Sequence, residues 1–384
     1  MPVRHASRLA TLAAPLLYLF VALYALSLCV SRPIHNWDMI GYIAAAKSFE
    51  TSDPAALHAF TYDSLRRAVT PDEYQALTTG PFRAAVAASP DVLAEQIPFY
   101  RIRPLYNGLV YGLYRAGVDI GFATHLLAGL GVALALLLLF PAATGLLARP
   151  FLFALPPLAM IFGAFEVARL STPDGLAYLA FVLAALFVVR RRYLALFVLA
   201  PLCLGLRTDL ILFTLPLLLL IAARERAQRR AALVAAVVSV ATYVAIAVIW
   251  KAPGWATLLR FTFVSSDTHP LTAGGGVTAG QYAVILKEGL KSLLYKKPFL
   301  LYLLAAGYSL WLMLAGGGLR NALRSPSATL ALAAMAFVAA HFLLFPVAWI
   351  RFFAAPQLVG ALALLGLVSE RMKTGPTESA GPAR

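Results

Sequence analysis

Acidic residues are scarce in this chain, and two of them lie in short polar stretches that follow apolar segments. Asp38 belongs to HNWDMIGYIAAAK, residues 35–47, and Asp174 belongs to EVARLSTPDGLAYLAF, residues 166–181. Each acid is predicted in the first turn of a helix, where the helix dipole favours a negative charge. Such a carboxylate can simply stabilise its helix, or it can hold or deprotonate a substrate hydroxyl. The two stretches are compatible with both roles.

The neighbours of Asp38 also fit either role. Asn36 is expected to cap a helix that begins at Trp37, which places Asp38 in the first turn. Tyr42 follows Asp38 by four residues and therefore lies on the same face of that helix. If Asp38 contacts a substrate, we expect Tyr42 to line the same site.

Arginines occupy two further polar stretches. Arg101 and Arg103 lie in EQIPFYRIRPLYNGL, residues 95–109, and Arg351 lies in FPVAWIRFFAAPQLV, residues 345–359. An arginine beside apolar residues can extend its guanidinium to the membrane surface. It can also bind a phosphate or pyrophosphate through paired N–H donors. The spacing of these arginines does not decide between the two roles.

Arg207 and Asp209 lie between two short apolar runs, in LGLRTDLILF at residues 204–213. Ionisable groups at or near bilayer depth are costly, and they are usually paired or functional. An ion pair that serves only the fold is one interpretation of this stretch. The shortness of both flanking runs favours a second one, in which Arg207 faces an outward-facing cavity and contacts substrate.

The segments between these stretches are apolar enough to cross a bilayer. Of 384 residues, 61% are hydrophobic and 13% are charged, whereas soluble domains average about 25% charged residues. A membrane-spanning helix needs about 20 apolar residues, and several segments reach or approach that length. We therefore predict an all-α polytopic membrane protein and exclude a soluble globular one.

The apolar segments and their flanking charges predict about ten transmembrane helices, with both termini in the cytoplasm. In this orientation every short Lys/Arg cluster falls inside, as the positive-inside rule requires, so the net charge of +15 implies no nucleic-acid partner. The first span is expected to be retained, because it exceeds the apolar core of about 7–15 residues in a signal peptide. The predicted spans are 9–31, 120–141, 150–168, 174–189, 193–206, 209–223, 231–250, 298–315, 327–346 and 352–369.

Residues 1–370 are predicted to form a single domain with two long outer loops. The loop 32–119 is expected to contain short amphipathic helices broken at prolines, and the loop 251–297 carries a glycine-rich stretch between two helical pieces. We expect Pro104–Gly117 to be an interfacial helix, because it is short for a span. Residues 371–384 are predicted to be a disordered cytoplasmic tail. The loop 32–119 is expected to break at Pro54, Pro71, Pro81, Pro90 and Pro98.

In their order and common side, these motifs resemble the C-type (GT-C) superfamily of membrane glycosyltransferases, which use polyprenyl-phosphate-linked sugars. NWD at residues 36–38 follows the first helix, and RIRPLY at 101–106 ends the first outer loop. STPDG at 171–175 presents an acid before a later helix, and RFFAAP at 351–356 lies in a late outer loop. The resemblance in layout covers nearly the whole chain.

The resemblance implies that Asp38 and Asp174 are the catalytic acids and that Asp38 positions or deprotonates an acceptor hydroxyl. Arg103 and Arg351 would bind the lipid phosphate. The donor would be a polyprenyl-phosphate sugar, the acceptor a glycan, lipid or protein, and the product inverted at the anomeric carbon. The enzyme would act on the outer, periplasmic side of a bacterial inner membrane. With the resemblance and the polar stretches combined, the predicted substrate-binding residues are Tyr42, Arg101, Arg103, Arg207, Asp209 and Arg351.

A divalent metal is the one cofactor that paired acids on this side could hold. Many members of the superfamily follow the first acid with a second one, whereas Met39 and Ile40 follow Asp38 here. We therefore expect Asp38 to act without a metal of its own, and we assign no metal ligands.

Two other functional classes fit an apolar chain with charged residues on one side. A transporter or flippase of lipid-linked glycans usually contains repeats and broken helices at mid-membrane, and the sequence contains no repeat. A non-catalytic membrane protein of envelope assembly would give Asp38 and Asp174 no chemical role. The gathering of ionisable residues on one side favours the enzyme.

Overall fold

The computed structural model of the chain describes residues 3–315 and 324–374, and α-helices dominate both ranges. These residues contain no β-strand, and their one strand-like pairing is an isolated parallel bridge between Ile34 and Leu170. Short 3₁₀ helices cover Arg149–Phe153, Cys203–Gly205, Thr208–Leu210 and Arg226–Gln228. In chain order the α-helices are α1 Val3–Ser31, α2 Asp38–Lys47, α3 Pro54–Ala68, α4 Pro71–Thr78, α5 Pro81–Ala88, α6 Pro90–Arg101, α7 Pro104–Arg115, α8 Ile120–Thr144, α9 Leu155–Ile161, α10 Ala164–Arg169, α11 Asp174–Val189, α12 Tyr193–Leu202, α13 Ile211–Arg224, α14 Arg229–Ile249, α15 Trp255–Phe263, α16 Ala279–Leu294, α17 Lys297–Ala315, α18 Pro326–Leu344 and α19 Ile350–Thr374.

Within the described ranges, six helices are long and apolar enough to cross a membrane. They indicate that the chain is an integral membrane protein, as the composition predicts. Shorter apolar helical segments cover Arg149–Ile161, Asp174–Val189 and Tyr193–Gly205. The six long candidates are Leu12–Ser31, Ile120–Thr144, Arg226–Ile249, Lys297–Ala315, Pro326–Leu344 and Ile350–Lys373.

The helical structure is interrupted at two places, one within a predicted span and one where two predicted spans meet. The predicted span 150–168 is divided between a 3₁₀ helix, α9 and α10, where Gly163 adopts a left-handed conformation with φ of +94°. A second interruption separates α12 from α13, where two 3₁₀ turns flank Arg207. At the C-terminal end, α19 reaches Thr374, and residues 375–384 of the predicted tail lie outside the described residues.

The helices α2–α7 follow α1 in the chain, and they share a hydrophobic core with the first turns of α8. Five of them, α3–α7, begin with a proline, whose fixed φ suits the first helical turn. The side chains of Asp53, Thr70 and Ser89 cap α3, α4 and α6 by accepting a backbone N–H. The predicted break at Pro98 is wrong. This residue lies inside α6, because a proline removes only one helical hydrogen bond and α6 ends three residues later.

The largely buried helix α8 packs against α1, α10 and α11. Glycines allow the close approach of α11. A Cβ added at Gly131 would lie 2.4 Å from the carbonyl oxygen of Gly175, and one at Gly175 would lie 2.1 Å from that of Ala128. Because Gly175 follows Asp174 directly, the contact between α8 and α11 also fixes the position of that carboxylate.

We predict that Gly131→Val lowers the melting temperature of the purified protein in detergent. The new side chain would meet backbone atoms of α11, which cannot rotate away, and overpacking of this kind costs about 1–3 kcal/mol. Gly307→Val is the matched control, because a Cβ at Gly307 meets no atom within 4 Å. Equal melting temperatures for the two variants would contradict the close packing of α8 on α11.

Candidate functional site

The Asp38 carboxylate, at the first residue of α2, is surrounded by three hydrogen-bond donors. Arg351 forms an ion pair with its Oδ2. The Asn36 side-chain amide donates to the same oxygen at 2.9 Å, and the Tyr100 hydroxyl donates to Oδ1 at 3.2 Å. The side chain of Asp38 is 24% exposed, so a substrate can reach it.

The charge state of Asp38 follows from these neighbours. Burial alone would raise the pKa of its carboxyl, but the charges of Arg351 and Arg103 and the hydrogen bond from Tyr100 hold the pKa below its usual range. Burial and the Asp38 carboxylate together keep the pKa of Tyr100 well above its usual range. Asp38 is therefore a carboxylate at neutral pH, and Tyr100 is a hydrogen-bond donor.

The prediction that Asn36 caps α2 is wrong. The helix begins at Asp38 rather than Trp37, and no side chain caps it. Instead, the Asn36 amide donates to Asp38 while its oxygen accepts the Ser171 N–H at 3.2 Å. The neighbouring Ile34 N–H donates to the Arg169 carbonyl at 2.7 Å, next to the isolated bridge. These backbone contacts take Asn36 away from the helix end and join the NWD stretch to the STPDG stretch.

A second group of charges surrounds Arg207. Its guanidinium forms ion pairs with Asp174 and Asp209, and its Nε donates to Asp209 at 3.0 Å. The side chains of Arg207 and Asp174 are only 7% and 3% exposed. His341 Nε2 lies 3.2 Å from the second oxygen of Asp209. Three elements, α11, the segment between α12 and α13, and α18, therefore meet at these charges.

The ring of Phe352 lies against both groups of charges. The guanidinium carbons of Arg207 and Arg351 lie 4.7 Å and 5.0 Å from its centroid. Arg351 also lies 4.8 Å from the ring of Trp349, which is 44% exposed. Cations bind favourably to the faces of aromatic rings, so these side chains hold two like-charged arginines close together.

The remaining predicted site residues differ in placement. Arg103 lies with its guanidinium carbon 5.6 Å from the Tyr42 ring centroid and donates to the Phe99 carbonyl at 2.6 Å. Tyr42 is buried between the rings of Tyr100 and Tyr106, so it supports the site from behind. The described residues offer no partner for the buried Nε of Arg101, and the structure does not bring that residue into contact with the two charged groups.

Apart from Tyr42, which lies in the middle of α2, the predicted site residues lie at or next to helix ends. The structure joins seven of the eight predicted site residues, from segments far apart in sequence, into one neighbourhood of contacts. Sequence reasoning missed His341, although it is the one ionisable residue in the predicted span 327–346, and such residues are usually functional. It also missed Tyr100, for which the sequence gives no signal. The residues in this neighbourhood, which we call the charged cluster, are Asn36, Asp38, Tyr42, Tyr100, Arg103, Asp174, Arg207, Asp209, His341 and Arg351.

The cluster can bind hydroxyls through its carboxylates and anions through its guanidiniums. Each of the carboxylates of Asp38, Asp174 and Asp209 is already paired with an arginine. Among the described residues, no group of three or more His, Cys, Asp or Glu could hold a metal ion. The donor set therefore fits an anionic substrate better than a cation.

The fold and the site define the class of this protein coarsely. Apolar helices indicate an integral membrane protein, and its charged cluster lies at the ends of several of those helices. The chain matches no protein-family model, no curated protein and no solved structure.

We predict that Arg207→Met strongly destabilises the protein in detergent. The substitution leaves Asp174 buried without its partner, and breaking a buried ion pair in this way costs about 3–5 kcal/mol. Arg67→Met is the control, because its pair with Asp63 is more than half exposed and such pairs contribute about 0–1 kcal/mol. Unfolding in denaturant measures both, and an equally small loss in the two variants would contradict a buried role for Arg207.

Proposed function

We propose that this protein is a membrane glycosyltransferase that moves a sugar from a polyprenyl-phosphate donor to an acceptor hydroxyl. The observation that supports the proposal most is the ion pair of the partly exposed Asp38 with Arg351. It puts a group that can hold a hydroxyl beside a group that can hold a phosphate. A transferase for lipid-linked sugars needs these two functions next to each other and near the membrane surface.

In this reaction the acceptor oxygen attacks the anomeric carbon of the sugar, and the bond from that carbon to the phosphate oxygen breaks. Arg351 and Arg103 stabilise the negative charge that develops on the departing lipid phosphate. Asp38 orients the acceptor hydroxyl and takes its proton late, since its lowered pKa makes it a weak base. Attack opposite the leaving group inverts the anomeric carbon.

The remaining residues of the cluster support this chemistry. Asp174 is almost fully enclosed and paired with Arg207, so its role in the proposal is to fix Arg207 beside Phe352. Asp209 is 27% exposed and can also contact a sugar hydroxyl. The buried Tyr42 positions Arg103 through its ring face.

The proposal includes the GT-C-like layout with ten passes. The shorter segments 149–169, α11, α12 and α13 add four passes to the six long candidates. With both termini in the cytoplasm, the ends that carry the cluster then lie on the outer side, and the arginines at Arg190–Arg192 and Arg224–Arg230 lie inside. A bacterial inner membrane is the proposed location.

We predict that Asp38→Asn lowers sugar transfer about 10²–10⁴-fold, the usual loss when a positioned acid or base is removed. The assay follows a labelled sugar from a polyprenyl-phosphate donor to products, using purified protein in detergent. Asp91→Asn is the control, because Asp91 is an exposed acid in the first turn of α6. Transfer by a correctly inserted Asp38→Asn protein at the parental rate would rule out this role.

A flippase of lipid-linked glycans is the second candidate function. The interrupted helical structure around the buried Arg207 favours it, because broken helices next to charged residues are common in transporters. A flippase moves its substrate between the two leaflets of a vesicle without breaking a bond. Turnover of the donor in detergent, where no compartments exist, therefore distinguishes the enzyme from the flippase.

A further inference from the structure

We infer that Arg351 closes the acceptor position of Asp38 in the free protein, and that a bound lipid phosphate opens it by drawing Arg351 away. This inference rests on the proposed function and adds an order to it. The donor's phosphate must bind before Oδ2 of Asp38 can receive an acceptor hydroxyl. Arg351 and Arg103 then form the phosphate subsite, and Arg207 does not belong to it.

Both hydrogen-bonding positions of Asp38 Oδ2 are occupied, whereas Oδ1 uses one of its two. Oδ1 accepts from Tyr100, and Oδ2 accepts from both Asn36 and Arg351. An acceptor hydroxyl can bind Oδ2, the oxygen that faces Arg351, only after a donor to this carboxylate leaves. The position of each donor in the fold decides which one it is.

Two of the donors are fixed by other contacts. The Tyr100 ring packs so closely on Gly41 that an added Cβ there would lie 2.3 Å from it, and its edge meets the Tyr42 ring at a centroid distance of 5.0 Å. Asn36 is held from its other side by the Ser171 N–H. Moving either side chain would disturb buried contacts between separate segments.

Arg351 is the donor that can leave. Its one hydrogen bond to a described residue is the bond to Asp38, and its other contacts are the ring faces of Trp349 and Phe352. Its side chain is 17% exposed, so its unused N–H groups face accessible space. A guanidinium exchanges readily between carboxylate and phosphate, because both accept its paired donors.

Arg103 is free to bind a phosphate together with Arg351, whereas Arg207 is not. No described carboxylate forms an ion pair with Arg103, which donates to one backbone carbonyl, and its charge also lowers the pKa of Asp38. Arg207 is enclosed and shared by Asp174 and Asp209. A phosphate can therefore recruit Arg351 and Arg103 at the expense of one ion pair, while recruiting Arg207 would strand two carboxylates.

If Asp38 and phosphate compete for Arg351, removing the charge of Asp38 strengthens phosphate binding. If the ion pair is only structural, removing that charge does not strengthen phosphate binding. Removing the charge of Asp38 releases Arg351, so phosphate binds more tightly to the variant than to the parent protein. Coupling between neighbouring sites usually changes affinity about 5–150-fold. A structural ion pair predicts unchanged or weaker binding instead.

The test measures the dissociation constant of farnesyl phosphate for the full chain in nanodiscs by isothermal titration calorimetry. We expect Asp38→Asn to tighten binding roughly tenfold, Arg351→Gln to weaken it, and the control Asp91→Asn to leave it unchanged. In the Arg351→Gln background, Asp38→Asn should no longer tighten binding. Asp38→Ser replaces Asp38→Asn if the latter does not fold.

Unchanged or weaker binding in folded Asp38→Asn would overturn the inference, and so would tightening that persists without Arg351. Inorganic phosphate is titrated in parallel, and equal affinity for it and farnesyl phosphate would overturn the assignment to a lipid phosphate. The transfer assay is separate. If the expected binding pattern is found but no sugar is transferred, the proposed function fails and the exchange at Arg351 stands.

Discussion

Pairing of charges within an apolar helical bundle is the constraint on which the rest of this structure depends. An uncompensated charge in such surroundings is costly, and the most enclosed carboxylate and guanidinium of the site, those of Asp174 and Arg207, are paired with each other. The ion pair of Asp174 with Arg207 holds α11 against the turn between α12 and α13, and that of Asp38 with Arg351 holds α2 against α19. Apolar packing brings the helices together, and these pairs determine which helix ends meet.

The same constraint leaves the charged cluster prepared for an anion. One ion pair is enclosed and supports the fold, while the other is partly exposed and can exchange partners. Both guanidiniums lie against the ring of Phe352, and the half-exposed Trp349 lies beside Arg351. In the proposed function, the enclosed pair keeps the site rigid enough to position a hydroxyl, and the exposed pair can still admit a phosphate.

Local sequence patterns are sufficient for much of the fold. The apolar length of α8 and α18 predicts spans, and the prolines that begin α3–α7 predict where those helices start. The sequence also predicts that Asp38, Asp174 and Arg351 share one side, because they lie at alternate ends of successive apolar segments. In the structure, contacts join all three to the same cluster.

Local sequence patterns do not predict which side chains from distant segments contact each other. Asp38 and Arg351 are 313 residues apart, and no local pattern encodes which helix ends face each other. Asn36 has the residue type of a cap, but the backbone of residues 169–171 lies close enough to take its amide instead. The break at Gly163 depends on a left-handed conformation that glycine tolerates but does not require.

An experimental structure of the protein in nanodiscs, determined with and without farnesyl phosphate, tests the central claim most directly. Without the lipid, we expect Asp38 and Arg351 to form their ion pair. With it, we expect the phosphate to lie between Arg351 and Arg103, with Asp38 released and its pairing oxygen facing accessible space. A phosphate bound elsewhere, with the ion pair intact, would contradict the account.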